Sequence, residues 1–202
     1  MTAVNMSVPA GRILVVGPIY NKMEKLSIVE ELMPQYQFVI FNGGLCFPAD
    51  DLRELKDRIG KMQNLLDNNK TIYLAGRTDL TLLSKIEDVE VTNWIRHRPN
   101  MAVIKFPTRV ALIMDGGIPP GTKSNNDLAN NLEVSFISQI KEKPWHLSYN
   151  GGLGYVISNN PLTNRFPAHY SYSMQLGNAY SPEGFVFAQE IDEIGLKKTI
   201  SL

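Results

Sequence analysis

Three side chains combine types and spacing that could act on an anion. Arg77 and Asp79 lie two apart in Ala75-Gly76-Arg77-Thr78-Asp79, and Asp115 opens Asp115-Gly116-Gly117-Ile118-Pro119-Pro120. A guanidinium does not deprotonate, so Arg77 brings a fixed positive charge wherever it points. It also matches the geometry of phosphate and carboxylate. One expectation is that this guanidinium pairs with Asp115, with Asp79 as a second partner; the other is that it points to solvent. Other catalytic constellations are missing from the chain. There is no G-x-S-x-G, no Gly-Lys-Ser phosphate loop and no G-x-G-x-x-G after the first strand. His97, His146 and His169 are spread along the chain, too far apart in sequence to suggest a compact His-based metal site. Cys46 is the only cysteine, which excludes an internal disulfide and a thiolate-rich metal site, and it reads as a small buried residue.

The elements that must position these residues follow from hydrophobic periodicity. RILVVG (12–17), FVIF (38–41) and TIYLAG (71–76) are short apolar runs ending near glycine or asparagine, the pattern of buried strands. Between them, apolar spacing predicts a helix over 23–32 ended by Pro34. A second helix follows Asp50 or Asp51, with its face at 52, 55, 59, 62, 65 and 66. Residues 79–86 and 88–97 read as short helices. Strands separated by helices at this rhythm mean right-handed βαβ units. The second half reads as strands over 102–106 and 110–114 around a Pro107-Thr108-Arg109 turn, then a helix over 125–140. YVIS, HYSYSMQLG, GFVFAQEI and KKTISL follow as strand and turn. Two sheets packed face to face with helices outside accommodate both halves.

Ligands in open α/β sheets gather at the carboxyl ends of strands. Five loops there are rich in glycine and polar residues: Gly17-Pro18-Ile19-Tyr20-Asn21, Asn42-Gly43-Gly44-Leu45, the Arg77 loop, the Asp115 loop and Ser158-Asn159-Asn160-Pro161. Tight strand-to-helix turns also require such residues.

The 202 residues carry 20 basic and 20 acidic side chains, a net charge of zero, which argues against a broad grip on nucleic acid or anionic lipid. At 44% hydrophobic and 20% charged, the chain is that of a folded protein. No run approaches the length needed to span a membrane, and MTAVNMSVPAGR lacks the pattern of a signal peptide, so the expectation is a cytoplasmic protein.

The order and context of the five loops resemble the calcineurin-like metallophosphoesterases over about residues 11–202. That family carries Gly-Asp-x-His-Gly after its first strand, Gly-Asp after its second and Gly-Asn-His-Asp or Glu after its third. A histidine loop and Gly-His-x-His follow. RILVVG, FVIFNGGL, TIYLAGRTD, ALIMDGGIPP and YVISNNPLTN stand where those blocks would, and GFVFAQEIDEIGLKKTISL looks like a closing hairpin. The resemblance implies an α/β fold of two packed mixed β-sheets flanked by helices, a four-layer αββα sandwich. It implies a single domain over 1–202, of which 1–10 reads as a loose lead-in.

The departures bear on chemistry. Pro18 stands where the family has its first aspartate, Tyr20 where it has a histidine, and Gly44 where it has the bridging aspartate. Arg77 replaces the asparagine ligand and Thr78 the proton-donating histidine. Asp79 keeps the acid that orients that donor in the family. Asp115 replaces the next histidine, and Asn159 and Pro161 fall on the last two ligands. Two adjacent divalent cations need a bridging anion and imidazoles. Pro18 and Gly44 offer no side-chain donor, and Arg77 adds a cation. The expectation is therefore an inactive relative with no metal and no cofactor, serving a protein partner or self-assembly. Trp145 and Phe166, both in loops, are its candidate contact residues. The alternatives are a residual phosphatase or phosphodiesterase using Asp79, Asp115 and Arg77, and a metal-free nucleotide or phosphate pocket using Arg77 and strand-end amides.

Overall fold

A computed structural model of the chain describes residues 3–46, 51–118, 122–124, 127–128, 145–159, 167–176 and 186–202. The strands are β1 (Ala3–Ser7), β2 (Ile13–Val16), β3 (Phe38–Asn42), β4 (Thr71–Leu74), β5 (Met101–Lys105) and β6 (Val110–Met114), then β7 (Tyr155–Asn159), β8 (Ala168–His169), β9 (Ser173–Leu176), β10 (Phe187–Ile191) and β11 (Leu196–Ser201). The helices are α1 (Lys25–Leu32), α2 (Leu52–Leu66), α3 (Arg77–Leu82), α4 (Val89–Arg96) and α5 (Trp145–Ser148).

These strands form two mixed sheets. One has six strands in the order β1-β5-β6-β7-β9-β8, the other five in the order β11-β10-β2-β3-β4. Parallel pairing of β2, β3 and β4 follows from their continuous apolar sequences, which bury both faces. Ile13, Val15 and Ile40 of one sheet meet Ile104, Ile113 and Ile157 of the other in the layer between them. Leu14, Val39 and Phe41 face the opposite way, onto helices that contribute Val29, Leu55 and Ile95. The two-sheet α/β architecture expected from the sequence is the one observed.

Helix α2 is built as its sequence predicts. Asp51 caps it by accepting from the Arg53 amide at 2.8 Å, and Leu55, Ile59, Met62 and Leu65 form the buried stripe. Helix α4 begins at Asp88, whose carboxylate accepts from the Val91 amide at 3.0 Å.

Two expectations need correction. Residues 1–10 are not a loose lead-in: Ala3–Ser7 form a strand paired in parallel with β5, Ala3 opposite Met101. Val4 and Met6 pack on the inter-sheet core. The HYSYSM run is not one strand either, because a turn separates β8 from β9 and closes with the Tyr170 amide on the Ser173 carbonyl at 2.8 Å. Most of the helix expected over 125–140 lies outside the described residues. No described helix is long and apolar enough to cross a membrane.

Candidate functional site at the strand ends

The carboxyl ends of β2, β3, β4, β6 and β7 converge, as the loop reading requires. Two glycines hold the centre. Gly43 and Gly44 follow β3 with φ of +72° and +73°, a left-handed geometry costly for any residue with a Cβ. A Cβ on Gly44 would stand 2.5 Å from the Pro18 Cβ and 3.1 Å from the Tyr20 ring. Tyr20, itself left-handed at φ +48°, donates its amide to the Gly44 carbonyl at 2.6 Å. The loops after β2 and β3 are therefore closed on one another.

Asp79 is fully buried and ties the loops after β3 and β4 together. Its Oδ2 accepts from the Tyr73 hydroxyl at 2.6 Å, the Gly76 amide at 2.7 Å and the Gly44 amide at 3.2 Å. Its Oδ1 accepts from the Cys46 amide at 2.9 Å. The Gly76 bond starts α3, with Asp79 at the third helical position. Burial pushes the Asp79 carboxyl above its ordinary range, and the donors around it pull the other way. Tyr73 accepts from the Leu45 amide at 2.9 Å, and burial, with the Asp79 charge, raises its hydroxyl well above the usual value.

Asp115 is 7% exposed and accepts the Arg77 backbone amide on Oδ2 at 2.7 Å. Burial raises its carboxyl to about 6, opposed by the Arg77 amide and by a hydrogen bond from Asn159. Beside it Asn159 donates to the Asn42 carbonyl, while Asn42 donates to the Met114 carbonyl at 3.1 Å and to the Asn159 side-chain oxygen at 3.3 Å. This asparagine pair clamps the end of β3 in one sheet to β6 and β7 in the other.

The expected guanidinium pairing with Asp115 and Asp79 is overturned. It is the Arg77 main chain that reaches Asp115. Asp79 already accepts from four other donors, and the Arg77 charge acts on Asp115 only through space, opposing the upward shift of that carboxyl. Thr78 is half-buried, with its hydroxyl oxygen among the buried atoms lacking a partner. Pro161 lies outside the described residues.

The donor set does not fit a pair of divalent cations. Gly44 offers no side-chain donor, and the space beside its Cα belongs to Pro18 and Tyr20. Asp115 and Asn159 spend their oxygens on main-chain and asparagine donors. Among the described residues, no group of three or more His, Cys, Asp or Glu side chains could hold a metal ion.

The histidines stay apart. His97 is exposed, with Nδ1 on the Asn93 carbonyl at 2.7 Å; His146 stacks on Tyr170 at 4.0 Å; His169 is exposed on β8. Trp145 is not an exposed anchor. Helix α5 turns it into the outer face of the six-stranded sheet among Met101, Leu112 and Val156, where it is 4% exposed. A Cβ on Gly117 would collide with its indole ring. Phe166 lies outside the described residues. Sequence reasoning missed Tyr73 and Cys46 as parts of the site, and it placed Asn42 in a strand-end loop without giving it a role. Only Asn42 had a visible signal, its place at the head of a strand-end loop.

With this geometry in place, the solved structures it resembles can be compared. A proposed diadenosine tetraphosphatase superposes with a TM-score of 0.70 at 16% identity, covering 100% of this chain and 98% of its own. A serine/threonine phosphatase from Saccharomyces cerevisiae gives 0.60 at 13% identity, covering 98% of this chain and 82% of its own. A metallophosphoesterase from Sphaerobacter thermophilus gives 0.56 at 10% identity, over 96% of this chain and 88% of its own. No protein-family model matches the sequence, and no curated protein matches it. The chain has the metallophosphoesterase fold.

Proposed function

We propose that this chain is a catalytically inactive protein of metallophosphoesterase fold that works as a protein-binding or structural component. One observation carries the reading: the space beside Gly44 is filled by the chain's own residues. Pro18 and Tyr20 pack on Gly44, and the remaining carboxylates serve as hydrogen-bond acceptors for the loops that a catalytic site would hold open. Function is argued from the site and not from the fold. Hydrolysis of a phosphoester would need a metal pair or a substitute cation beside the phosphoryl group, and the packing of Pro18 and Tyr20 leaves no room for a side-chain ligand on Gly44. Metal analysis of purified protein, followed by a generic phosphoester assay with added manganese, tests the reading. Substoichiometric metal and no turnover are expected. Stoichiometric metal with turnover would overturn it.

The second reading, a residual phosphatase or phosphodiesterase, has one observation in its favour. Asp115 has its carboxyl raised to about 6, close to the range of a general acid. Under that reading Asp115→Asn abolishes turnover; under the first there is none to lose.

A further inference from the structure

The two sheets end in four edge strands, β1, β8, β11 and β4. An open edge is a template for another strand, and folded proteins blunt it. β8 is only two residues long. β11 carries Lys197 and Lys198, both exposed. β4 runs into Ala75, whose amide donates to the Pro99 carbonyl at 2.8 Å and whose carbonyl accepts from the Asn100 side chain at 3.1 Å, so the segment at 99–100 lies against its end. β1 has none of these devices. Ala3-Val4-Asn5-Met6-Ser7 holds no charge, no proline and no bulge, and no described strand pairs with its outer side.

The pairing of β1 with β5 settles which main-chain groups are left over. The Val8 amide donates to the Lys105 carbonyl at 2.9 Å, with Ser7 in register with Lys105. A residue's N–H and C=O point to one side of a strand, and the side alternates from residue to residue. Val4, Met6 and Val8 therefore face β5, and Ala3, Asn5 and Ser7 turn their donors and acceptors outward. The side chains alternate too. Val4 and Met6 pack on the layer between the sheets but stay half-buried, whereas Met101 to Ile104 of the neighbouring β5 are buried. Ala3 packs on the outer face of the six-stranded sheet, and Asn5 and Ser7 are exposed.

This strand is its own complement. Antiparallel pairing with a second copy about a two-fold axis at Asn5 sets Asn5 opposite Asn5, Ala3 opposite Ser7 and Val4 opposite Met6. The outward-facing residues then fall in hydrogen-bonded pairs, which exchange N–H and C=O with the residue opposite. Val4 and Met6 fall in the closer, non-hydrogen-bonded pairs, so each copy covers the apolar side chains that the other leaves half-buried. Sliding the register by two residues toward the carboxyl end would set Ala3 opposite Pro9, which has no N–H to give. With no charged side chain in the strand, nothing repels at the axis. We propose that β1 is a self-pairing edge: two copies of this chain pair antiparallel through Ala3–Ser7 and join their six-stranded sheets into one continuous sheet.

The proposal rests on the binding-component reading above and names its partner as a second copy. The dimer is read from mass and cross-linking, and inactivity from metal and turnover, so the failure of one is distinguishable from the failure of the other. A strand of five residues spans about 17 Å. An interface that short belongs with the weak, transient ones, and the expected Kd is about 10–100 μM.

Sedimentation velocity of the full chain from about 5 to about 500 μM should show monomer giving way to dimer and nothing larger, because pairing uses up the edge. Asn5→Pro removes an outward N–H that β5 does not use, the one setting in which an edge strand accepts proline. It should weaken the dimer at least tenfold, with thermal melts confirming that the variant is folded. Asn5→Cys reads the register. Cα atoms of a hydrogen-bonded pair lie about 5.5 Å apart, within reach of a disulfide. Under mild oxidation Asn5→Cys should form a covalent dimer, with the native Cys46 buried out of reach. Ser7→Cys, whose equivalent in the second copy stands near Ala3, should not. A monomer throughout the concentration range, as an edge kept for a strand of another protein would give, overturns the proposal. So does a dimer that Asn5→Pro leaves intact, or cross-linking of Ser7→Cys as fast as that of Asn5→Cys.

Discussion

Asp79 separates the structural reading of the strand-end site from the catalytic one. Asp79→Asn keeps the size of the side chain and leaves one oxygen where there were two. In the better of its two orientations that oxygen stays with Tyr73, Gly76 and Gly44. The new amide nitrogen then faces the Cys46 amide, donor against donor, where Oδ1 accepted at 2.9 Å. The flipped orientation strands the Gly76 and Gly44 amides instead. Each buried donor left unpaired costs about 1–3 kcal/mol, and bonds to a charged acceptor are stronger than those to a neutral one. Relief of the buried charge offsets part of this, because desolvation already holds that carboxyl above its ordinary range. The expected loss is about 3 kcal/mol, or about 6–12 °C in Tm for a domain of this size. Differential scanning calorimetry of the two proteins at pH 7 measures it. Tyr73→Phe, which strands the Leu45 amide and takes one of four donors from Asp79, should lose less, because Asp79 keeps its three main-chain donors. A melt within 2 °C of the parent would refute the argument that this carboxylate is a structural tie. A parallel loss of phosphoester turnover would then make it a catalytic group.

Two further outcomes follow from the same site. Asp115 binds its proton more tightly folded, at about 6, than unfolded, at 3.8. The native state therefore holds more protons across that window. Its contribution to stability is full below about pH 4 and is lost as pH rises through 6, by about 3 kcal/mol at about 1.4 kcal/mol per pH unit. Urea unfolding of parent and Asp115→Asn from pH 4 to pH 7 should show the parent losing stability relative to the variant as pH rises, and parallel curves would disprove the assignment. Gly44→Ala should cost at least about 2 kcal/mol, from a left-handed backbone and the collision with Pro18. Combined with Pro18→Gly, which removes that Cβ, the loss should be smaller than the sum of the two single losses; strict additivity would mean the loops do not touch.

What could be read from the sequence depended on whether the signal was local. The runs ILVV and FVIFN bury both faces in a parallel sheet, so their continuous apolar character was enough to find β2 and β3. Helix α2 was equally plain, because its cap and its buried stripe lie within 15 residues. β1 was not, because it is stabilised by pairing with a strand almost a hundred residues later, Ala3 with Met101, and nothing in AVNMS announces a distant partner. The site divided the same way. Convergence of the loops followed from the strand order, and the lack of donors at Pro18 and Gly44 from residue type. The role of Asp79 could not, since its four donors come from separate stretches of chain. Charge arithmetic put the Arg77 guanidinium on Asp115, but the start of α3 brings the Arg77 amide there first. Trp145 read as exposed because it follows Pro144 in a polar stretch; one short turn of helix is enough to bury it.

The strand ends and the surface between α2 and α4 differ in how their polar groups are satisfied. At the strand ends Asp79, Asp115 and Asn159 bond to the adjoining main chain and to Asn42, and Pro18 and Tyr20 pack over Gly44, while the Asn42 side-chain oxygen and the Thr78 hydroxyl stay buried without a partner. A ligand that displaced Asp79 from its donors would have to break buried hydrogen bonds first, an uphill exchange in a low-dielectric setting. Between α2 and α4 the accounting is reversed. The Arg98 guanidinium has lost part of its water without gaining a carboxylate partner among the described residues. Binding is favoured where the free protein leaves groups unsatisfied, and by that criterion Asp79, with four donors in place, is a structural tie while the Thr78 hydroxyl and the Arg98 Nε are not yet partnered.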